Sequence, residues 1–308
     1  MKNLENVIEK ATKWDKEKDL QYFESMQNSI LPGTPCHTAA AWNQRAKLWE
    51  KEFADPSKDK GQERILSTVE YLQGRGALKS NDKVVDIGCG PGRFTAEFAK
   101  YVEYALGLDI SEQMLQMGRT YIDKEGLNNA FLKVCDFQEM DIAKEQMEGK
   151  FDLVFSSITP AINGIAALEK AIKMSKKYCL TITHIYSNNE LQRRILKEVF
   201  GHENTTAKDG YWFYSLFNTL FLRGYYPETS YYLQHKEKRI EPSEEYANYL
   251  MQHILPTEEH TVENKQRIEE WMNSNTEADG QLSDVGDTWY GRILWDVRIK
   301  TDRQVRNK

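Results

Sequence analysis

A glycine-rich loop between an apolar strand and a helix constrains the fold of this chain more than any other feature of its sequence. The loop reads Asp86-Ile87-Gly88-Cys89-Gly90-Pro91-Gly92 and follows a predicted strand, Lys83–Ile87. Glycine tolerates positive φ and has no side chain to keep a ligand away. The first turn of a helix after such a loop also presents free backbone N–H groups. We therefore predict a ligand-binding site at residues 86–92.

Strands and helices alternate around this loop. From residue 62 to 186, short apolar strands are predicted at 83–87, 104–108, 130–134, 151–155 and 179–185, with helices between them. This alternation predicts a parallel sheet with helices on both faces. Two further strands are predicted at 229–240 and 288–299, and the residues between them indicate two helices.

The spacing of the glycines indicates which cofactor the loop binds. The pattern is Gly88-x-Gly90-x-Gly92 after Asp86, whereas dinucleotide-binding folds use G-x-G-x-x-G to place a pyrophosphate at the helix start. An acid before the loop suits a ligand with an ammonium group better than one with phosphates. Asp109 ends the next strand, 23 residues after Asp86, where a ribose-binding carboxylate is expected.

Residues 84–92, VVDIGCGPG, resemble motif I of the class I S-adenosylmethionine-dependent methyltransferases. The resemblance implies that S-adenosylmethionine is the cofactor, that Asp109 binds the ribose hydroxyls, and that Asp136 contacts the adenine amino group. Residues 151–157 resemble motif IV, whose end faces cofactor and acceptor. The cofactor-binding residues predicted in this way are Asp86, Gly88, Cys89, Gly90, Gly92, Asp109, Ile110, Met114, Asp136, Phe137 and Ser156.

The same resemblance implies the complete architecture. We expect an α/β fold: a Rossmann-like, seven-stranded, mostly parallel sheet with helices on both faces, in which the last two strands form an antiparallel edge pair. Three regions are predicted: an N-terminal helical arm (1–61), a cofactor-binding core (62–187), and a region that covers the substrate and completes the sheet (188–308). A helical insertion precedes the last strand.

The acceptor side is less clearly marked. His184 lies near the carboxyl end of a predicted strand, the edge where open α/β sheets bind ligands, and is the candidate general base. A histidine hydrogen-bonded within the core is the alternative. Tyr186, two residues on, is expected on the same face of that strand as His184. The remaining acceptor-side candidates are Trp42, Arg45 and Trp49 on one face of the arm helix, together with Ser157, Tyr211 and Tyr214. Ordinary packing of helices is the alternative explanation for the arm residues and for the aromatic segment that contains Tyr211 and Tyr214.

Composition narrows the class of protein. The 308 residues carry a net charge of −6, and acidic and basic residues are interleaved, which argues against a nucleic-acid partner. The four cysteines form no CxxC pair, so no metal site is predicted. The N-terminus lacks the apolar core of a signal peptide, and no stretch reaches the roughly 18 apolar residues of a membrane helix. We expect no membrane partner and a cytoplasmic location.

Methyl transfer to an O, N or S atom of a small molecule is the function that fits these features best. Methylation of RNA or protein is one alternative, and a non-catalytic S-adenosylmethionine-binding protein or partner subunit is another. Motif IV lacks the Asn/Asp-Pro-Pro-Tyr/Phe form typical of enzymes that methylate nucleobase amines or amide nitrogens. The sequence specifies neither the acceptor nor the oligomeric state.

Overall fold

The computed structural model describes residues 15–29, 38–43, 45–46, 61–202 and 210–301. The strands are β1 (Lys83–Ile87), β2 (Tyr104–Asp109), β3 (Ala130–Val134), β4 (Phe151–Ser157), β5 (Ser175–Asn189), β6 (Glu228–Ile240) and β7 (Leu282–Asp296). The helices are α1 (Lys16–Ser29), α2 (Gly61–Gly74), α3 (Arg93–Ala99), α4 (Glu112–Lys124), α5 (Gly164–Met174), α6 (Glu190–Phe200), α7 (Tyr211–Leu222), α8 (Glu244–Ile254) and α9 (Val262–Ser274). None of the helices in these ranges is long and apolar enough to span a membrane.

The seven strands form one sheet in the order β3-β2-β1-β4-β5-β7-β6. Strands β1 to β5 pair in parallel, and β7 runs antiparallel to both β5 and β6. The order reverses direction at β1 and β4, and ligands of open α/β sheets bind at such a switch point. The predicted fold class is confirmed, including the antiparallel pairing of the last two strands and the helices between them.

Each face of the sheet is covered by its own helices. On one face, α2, α3 and α4 bury a cluster that includes Leu72, Phe98 and Phe155. On the other face, α5 and α7 bury a cluster that includes Leu168 and Leu216. Because both faces are covered, the central strands are apolar on both sides, and β1 is buried at four of its five residues.

Strands β5, β6 and β7 extend well beyond the parallel part of the sheet. They have 15, 13 and 15 residues, against five or six in β1 to β3. Helices α6, α8 and α9 cover the extension and share a separate apolar cluster around Ile195, Leu250 and Ile268. The predicted region boundary at residue 187 falls inside β5, whose polar end continues to pair with β7 as far as Asn189.

A buried carboxylate links the helical insertion between β6 and β7 to the sheet. Asp284 on β7 is 1% exposed and accepts hydrogen bonds from Asn189 Nδ2 (2.5 Å), Lys236 Nζ (2.5 Å) and Tyr246 Oη (2.9 Å). Burial alone would raise the pKa of Asp284, but these donors, led by the charge of Lys236, hold it below its ordinary value. Since the donors come from β5, β6 and α8, this carboxylate links three elements.

Candidate functional site

Backbone geometry shapes the glycine loop at the carboxyl end of β1. Gly88, Gly90 and Gly92 have φ values of 69°, 54° and 69°, in the left-handed region that favours glycine. The N–H of Gly88 and that of Cys89 donate to the carbonyl oxygen of Leu108, at 2.7 and 3.0 Å, which fixes the loop against β2. The loop then runs directly into α3, so the N-terminus of that helix faces the same edge of the sheet.

Thr159, which was not predicted from the sequence, packs against the loop from the β4 side. A Cβ at Gly88 would lie 1.9 Å from Thr159 Oγ1, so any side chain at position 88 would collide with it. The chain reaches Thr159 through Ile158, which has a φ of 52°. A β-branched residue in this region is strained, and such strain is concentrated at functional sites. Position 88 therefore requires glycine for two independent reasons: its positive φ and the close approach of Thr159.

Asp109 joins the glycine loop to the start of α4. Its Oδ2 accepts from the N–H of Gly90 and its Oδ1 from the N–H of Ser111, both at 2.8 Å. Each carboxylate oxygen can accept about two hydrogen bonds, so lone pairs remain for a further donor. Burial raises the pKa of Asp109 against the opposing effect of these N–H groups. The carboxylate stands at the carboxyl end of β2, at the edge where a ribose would lie.

Asp86 lies directly beneath the loop. It is 2% exposed, and its Oδ2 accepts from Thr95 Oγ1 at 2.9 Å. Burial raises the pKa of Asp86 to about 7, an effect that the nearby charge of Asp109 strengthens and the charge of Arg64 opposes. A carboxyl with such a pKa can take up a full negative charge when a cation binds nearby.

Close packing around the loop depends on glycines and small residues that the sequence analysis did not single out. A Cβ at Gly107 in β2 would lie 2.6 to 2.8 Å from side chains of Leu132, Cys89 and Thr95. A Cβ at Gly118 in α4 would lie 2.7 Å from the carbonyl oxygen of Pro91. Glycine inside a strand is a known sign of close approach, so Gly107 could have been identified from sequence.

The arm reaches the site through Asn43. Its Oδ1 accepts from Ser111 Oγ at 2.6 Å, and Ser111 caps the N-terminus of α4 beside Asp109. In the same segment, the guanidinium of Arg45 lies 4.8 Å from the centre of the Trp42 ring. Trp49, the third residue of the predicted face, lies outside the described residues. Nothing in the sequence distinguished Asn43 from other polar helix residues.

Some predicted cofactor contacts are packed inside the protein instead. Phe137 is 3% exposed and belongs to the core cluster with α5 and α7, and Met114 is 1% exposed. Ser156 is also 1% exposed, and its hydroxyl is 3.1 Å from that of Thr181 within the sheet. All three side chains are therefore buried and are not exposed at the edge of the sheet that carries the loop.

The other predicted cofactor residues lie near the loop or at the same edge. Cys89 and Ile110 are half-buried, and burial raises the pKa of the Cys89 thiol, so it stays neutral. Asp136 is exposed just after β3, and its Oδ1 accepts from the N–H of Gln138 at 3.0 Å. The position of Asp136 next to the end of β2 follows from the pairing of β3 with β2.

The prediction that His184 and Tyr186 share a strand face is wrong. His184 pairs with Tyr290, but Tyr186 pairs with Trp289, so Ile185 is an extra residue that forms a bulge. One inserted residue turns all later side chains to the opposite face. His184 therefore lies on the α2 side, where its ring is 4.8 Å from that of Tyr290.

Tyr186 instead lies on the α7 side of the sheet, 42% exposed. Tyr211 and Tyr214 on α7 are 56% and 53% exposed on that side too. The hydroxyl of Ser157, at the end of β4, is buried without a hydrogen-bond partner among the described residues. The acceptor-side candidates therefore lie on different faces of the sheet: His184 is on the α2 side, and the three tyrosines are on the α7 side.

Residues 78–215 match the family model described as a methyltransferase domain. Together with the strand order and the Asp86–Gly92 loop, this match identifies this part of the chain as a methyltransferase domain with S-adenosylmethionine as its cofactor. The matched residues run from just before β1 into α7, so they include the loop, Asp109 and β5.

Several curated proteins are similar over part of this chain. Sterol 24-C-methyltransferase ERG6B of Gibberella zeae is 26% identical over 133 residues, which are 41% of this chain and 35% of that protein. EEF1A lysine methyltransferase 2 of Homo sapiens is 27% identical over 160 residues, 50% of this chain and 63% of that protein. The chain spans less than two thirds of either relative. Their named acceptors differ so widely that the similarity does not specify an acceptor here.

Solved structures also resemble this fold. A Bacillus halodurans structure described as a methyltransferase has a TM-score of 0.47 at 18% identity and covers 75% of this chain and 99% of its own. Magnesium protoporphyrin IX methyltransferase from Synechocystis, with bound S-adenosylhomocysteine, has a TM-score of 0.41 at 15% identity, with 75% and 84% covered. At these scores the matches carry no argument about function, so the assignment depends on the family match, the strand order and the loop.

Proposed function

We propose that this chain transfers a methyl group from S-adenosylmethionine to a small-molecule acceptor. The observation that carries the proposal is the position of Asp109, which is held by the N–H groups of Gly90 and Ser111 and keeps lone pairs for two ribose hydroxyls. The N–H groups of the loop and the N-terminus of α3 face the same edge of the sheet. Asp136 is proposed to accept from the adenine amino group.

The bound cofactor would supply an electrophilic methyl group on a positively charged sulfur. Asp86 favours a ligand that brings positive charge close to the loop, since its own ionisation is held back by burial. Methyl transfer is an in-line displacement, so holding the nucleophile at attack distance can account for much of the rate. His184 is the proposed base where the acceptor must lose a proton.

A small acceptor is favoured by how the chain covers the site. Asn43 attaches the arm beside Asp109, and α6, α8 and α9 form a wall over the extension of the sheet. Such covering elements exclude water from a compact substrate. The cytoplasmic location and the division into three regions remain predictions.

Isothermal titration with S-adenosylhomocysteine tests the cofactor site. Asp109→Ala should weaken binding at least about 30-fold, since it removes charged hydrogen bonds worth roughly 1.5–3 kcal/mol each. Asp123→Ala, an exposed acid on α4, is the matched control and should bind like the wild type. Equal affinities of the Asp109 variant and the wild type would contradict the ribose role.

A labelled-methyl assay tests the acceptor class. Purified protein and methyl-labelled S-adenosylmethionine are incubated separately with small-molecule, RNA and protein fractions of a cell extract. We expect label in the small-molecule fraction alone. Label confined to RNA or protein would overturn the small-molecule assignment, and cofactor binding without label in any fraction would favour a binding protein.

A further inference from the structure

Strands β5, β6 and β7 carry a row of large apolar side chains where they extend beyond the parallel part of the sheet. Trp289 on β7 pairs with Tyr186 on β5 and with Leu233 on β6. Directly paired residues of neighbouring strands point to the same face of a sheet. These three side chains, which we call the exposed row, are 42%, 42% and 48% exposed, so none of the described helices buries them.

The exposed row lies on the α7 side of the sheet. Trp289 is two residues before Gly291, and alternate residues of a strand point to one face. A Cβ at Gly291 would lie 2.3 Å from the ring of Phe213 on α7. Leu282, on the opposite face of β7, belongs to the cluster that α6, α8 and α9 cover. Among the described residues, the extension is therefore covered on one face and open on the other.

Large exposed side chains continue from the row onto neighbouring positions. Tyr231, on the same face of β6, is 56% exposed, and Tyr211 and Tyr214 in the first turn of α7 are 56% and 53% exposed. Helix α7 begins beside β5, since a Cβ at Gly210 would lie 3.2 Å from Ile185 Cγ2. Large exposed apolar patches of this kind mark binding surfaces.

Helix α1 brings the N-terminal part of the chain to this surface. The ring of Phe23 on α1 lies 5.4 Å from that of Tyr214, measured between the ring centres, and Gln27 Nε2 donates to Thr219 Oγ1 on α7 at 2.9 Å. Helix α1 begins at Lys16, about 10 Å along a helix axis from Phe23. The chain that precedes α1 is therefore attached close to the exposed row.

The chain changes direction where α1 begins. Asp15 Oδ1 accepts from the N–H of Lys18 at 3.1 Å, which is the side-chain bond of a helix N-cap. An N-cap residue has a non-helical backbone, so the residues before Asp15 do not continue along the axis of α1. They are free to turn towards the sheet.

Residues 1–14, which we call the N-terminal segment, lie outside the described residues, and their sequence has the pattern of an amphipathic helix. Leu4, Val7, Ile8 and Ala11 recur at i, i+3, i+4 and i+7, the spacing of one apolar helix face. Fourteen residues in a helix span about 21 Å, whereas the exposed row crosses three strands spaced about 4.8 Å apart. One such face is long enough to cover the row.

We propose that the N-terminal segment packs its apolar face on the exposed row of the same chain. A tethered segment acts at an effective concentration of about a millimolar, which favours it over a second copy or a separate protein. The edge strand β6 also carries Lys236 and Lys238, and lysines on an edge strand oppose pairing with another chain. Tyr186 then belongs to an interface within the chain rather than to the acceptor site.

Photo-crosslinking of the full chain tests this docking. p-Benzoylphenylalanine replaces Leu233 in one preparation and Phe131 in the control preparation, because Phe131 is 47% exposed on β3 at the opposite edge of the sheet. After irradiation in dilute solution, the products are sized by denaturing electrophoresis and mapped by mass spectrometry. We expect position 233, but not position 131, to be joined to a peptide from residues 1–14 of the same chain.

Two variants of the N-terminal segment identify the face that binds. Ile8→Glu places a charge on the apolar face, and Asn6→Glu places the same charge on the opposite face of the helix. Because burying an unpaired charge is costly, Ile8→Glu should lower the yield of the crosslink at least about tenfold, while Asn6→Glu leaves it unchanged. Neither cofactor nor acceptor is present, so the result does not depend on the proposed function.

Three results would overturn the docking of the N-terminal segment. A crosslinked product of doubled mass would show that a second copy covers the row. The absence of a crosslink from position 233 to residues 1–14 would show that the segment lies elsewhere. Equal yields in Ile8→Glu and Asn6→Glu would show that the contact does not use the apolar face.

Discussion

The two halves of the sheet build their parts of the site by different means. In the cofactor half, β1 to β3 are short, and the proposed site consists of backbone atoms of residues 86–92 together with carboxylates, chiefly Asp109. In the acceptor half, β5, β6 and β7 are two to three times longer, and the proposed base, His184, contributes through its side chain. The proposed cofactor site therefore depends mainly on backbone geometry, and the proposed acceptor site depends on side chains.

This difference explains why the halves should respond differently to substitution. A site made of backbone fails when a Cβ is added at one position, because the whole loop must move. A site made of side chains can lose one group and keep its shape. Changes at Gly88, Asp86 and Asn43 test the cofactor side of this contrast, and their expected effects decrease in that order.

The largest effect is expected for Gly88→Ala. The added methyl would meet Thr159 and also occupy the left-handed region, so strain and overlap together should cost about 4 kcal/mol and abolish detectable cofactor binding. Gly126→Ala is the matched control: its φ is 67°, but nothing lies within 4 Å of the new Cβ. That variant should lose only about 1 kcal/mol. Urea denaturation and calorimetry measure both, and equal losses would show that the contact with Thr159 is unimportant.

An intermediate effect is expected from the titration of Asp86. Its pKa is about 7 in the folded protein and about 3.9 in an unfolded chain. Between these values the unfolded chain releases the proton while the folded protein keeps it. The free energy of unfolding of the ligand-free protein should therefore fall as pH rises, by about 3 kcal/mol between pH 5 and pH 8 from this group.

Asp86→Asn removes this dependence, so the stability difference between variant and wild type, measured in urea at the two pH values, should change by that amount. Asp123→Asn serves as the control, since it replaces an exposed acid. A constant difference between Asp86→Asn and the wild type from pH 5 to pH 8 would show that Asp86 titrates normally.

The smallest effect is expected for Asn43→Ala. The arm contacts the cofactor half through the Asn43 side chain, so this variant tests whether cofactor binding depends on a contact from the arm. Loss of the bond from Ser111 should cost about 1 kcal/mol and weaken S-adenosylhomocysteine binding about fivefold. Asn128→Ala, at an exposed position, is the control. Unchanged affinity in Asn43→Ala would show that the arm does not stabilise the bound cofactor.

The same contrast accounts for what could be predicted from the sequence. The position of the loop between β1 and α3, and the bounds of β1 and β3, were predicted correctly because glycine spacing and apolar runs depend directly on the backbone. Tyr186 was placed on the wrong face because a bulge of one residue at Ile185 has no sequence signal. Thr159 was missed because its contact with Gly88 depends on the turn after β4, which only the fold brings against the loop.

The hydrogen bonds of Asp284 affect how ligands enter and leave the site. Its three hydrogen bonds link the insertion to strands that are continuous with the core, and opening the insertion would leave the buried Asp284 carboxylate without these donors. Among the described residues, the arm contacts the edge that carries Asp109 through Asn43, whose Oδ1 accepts from Ser111 Oγ and from the N–H of Gln113. We therefore expect ligands to enter and leave on the side of the arm. The lifetime of the Asn43 contact should then limit the rate of product release, which is the step that limits turnover in many enzymes.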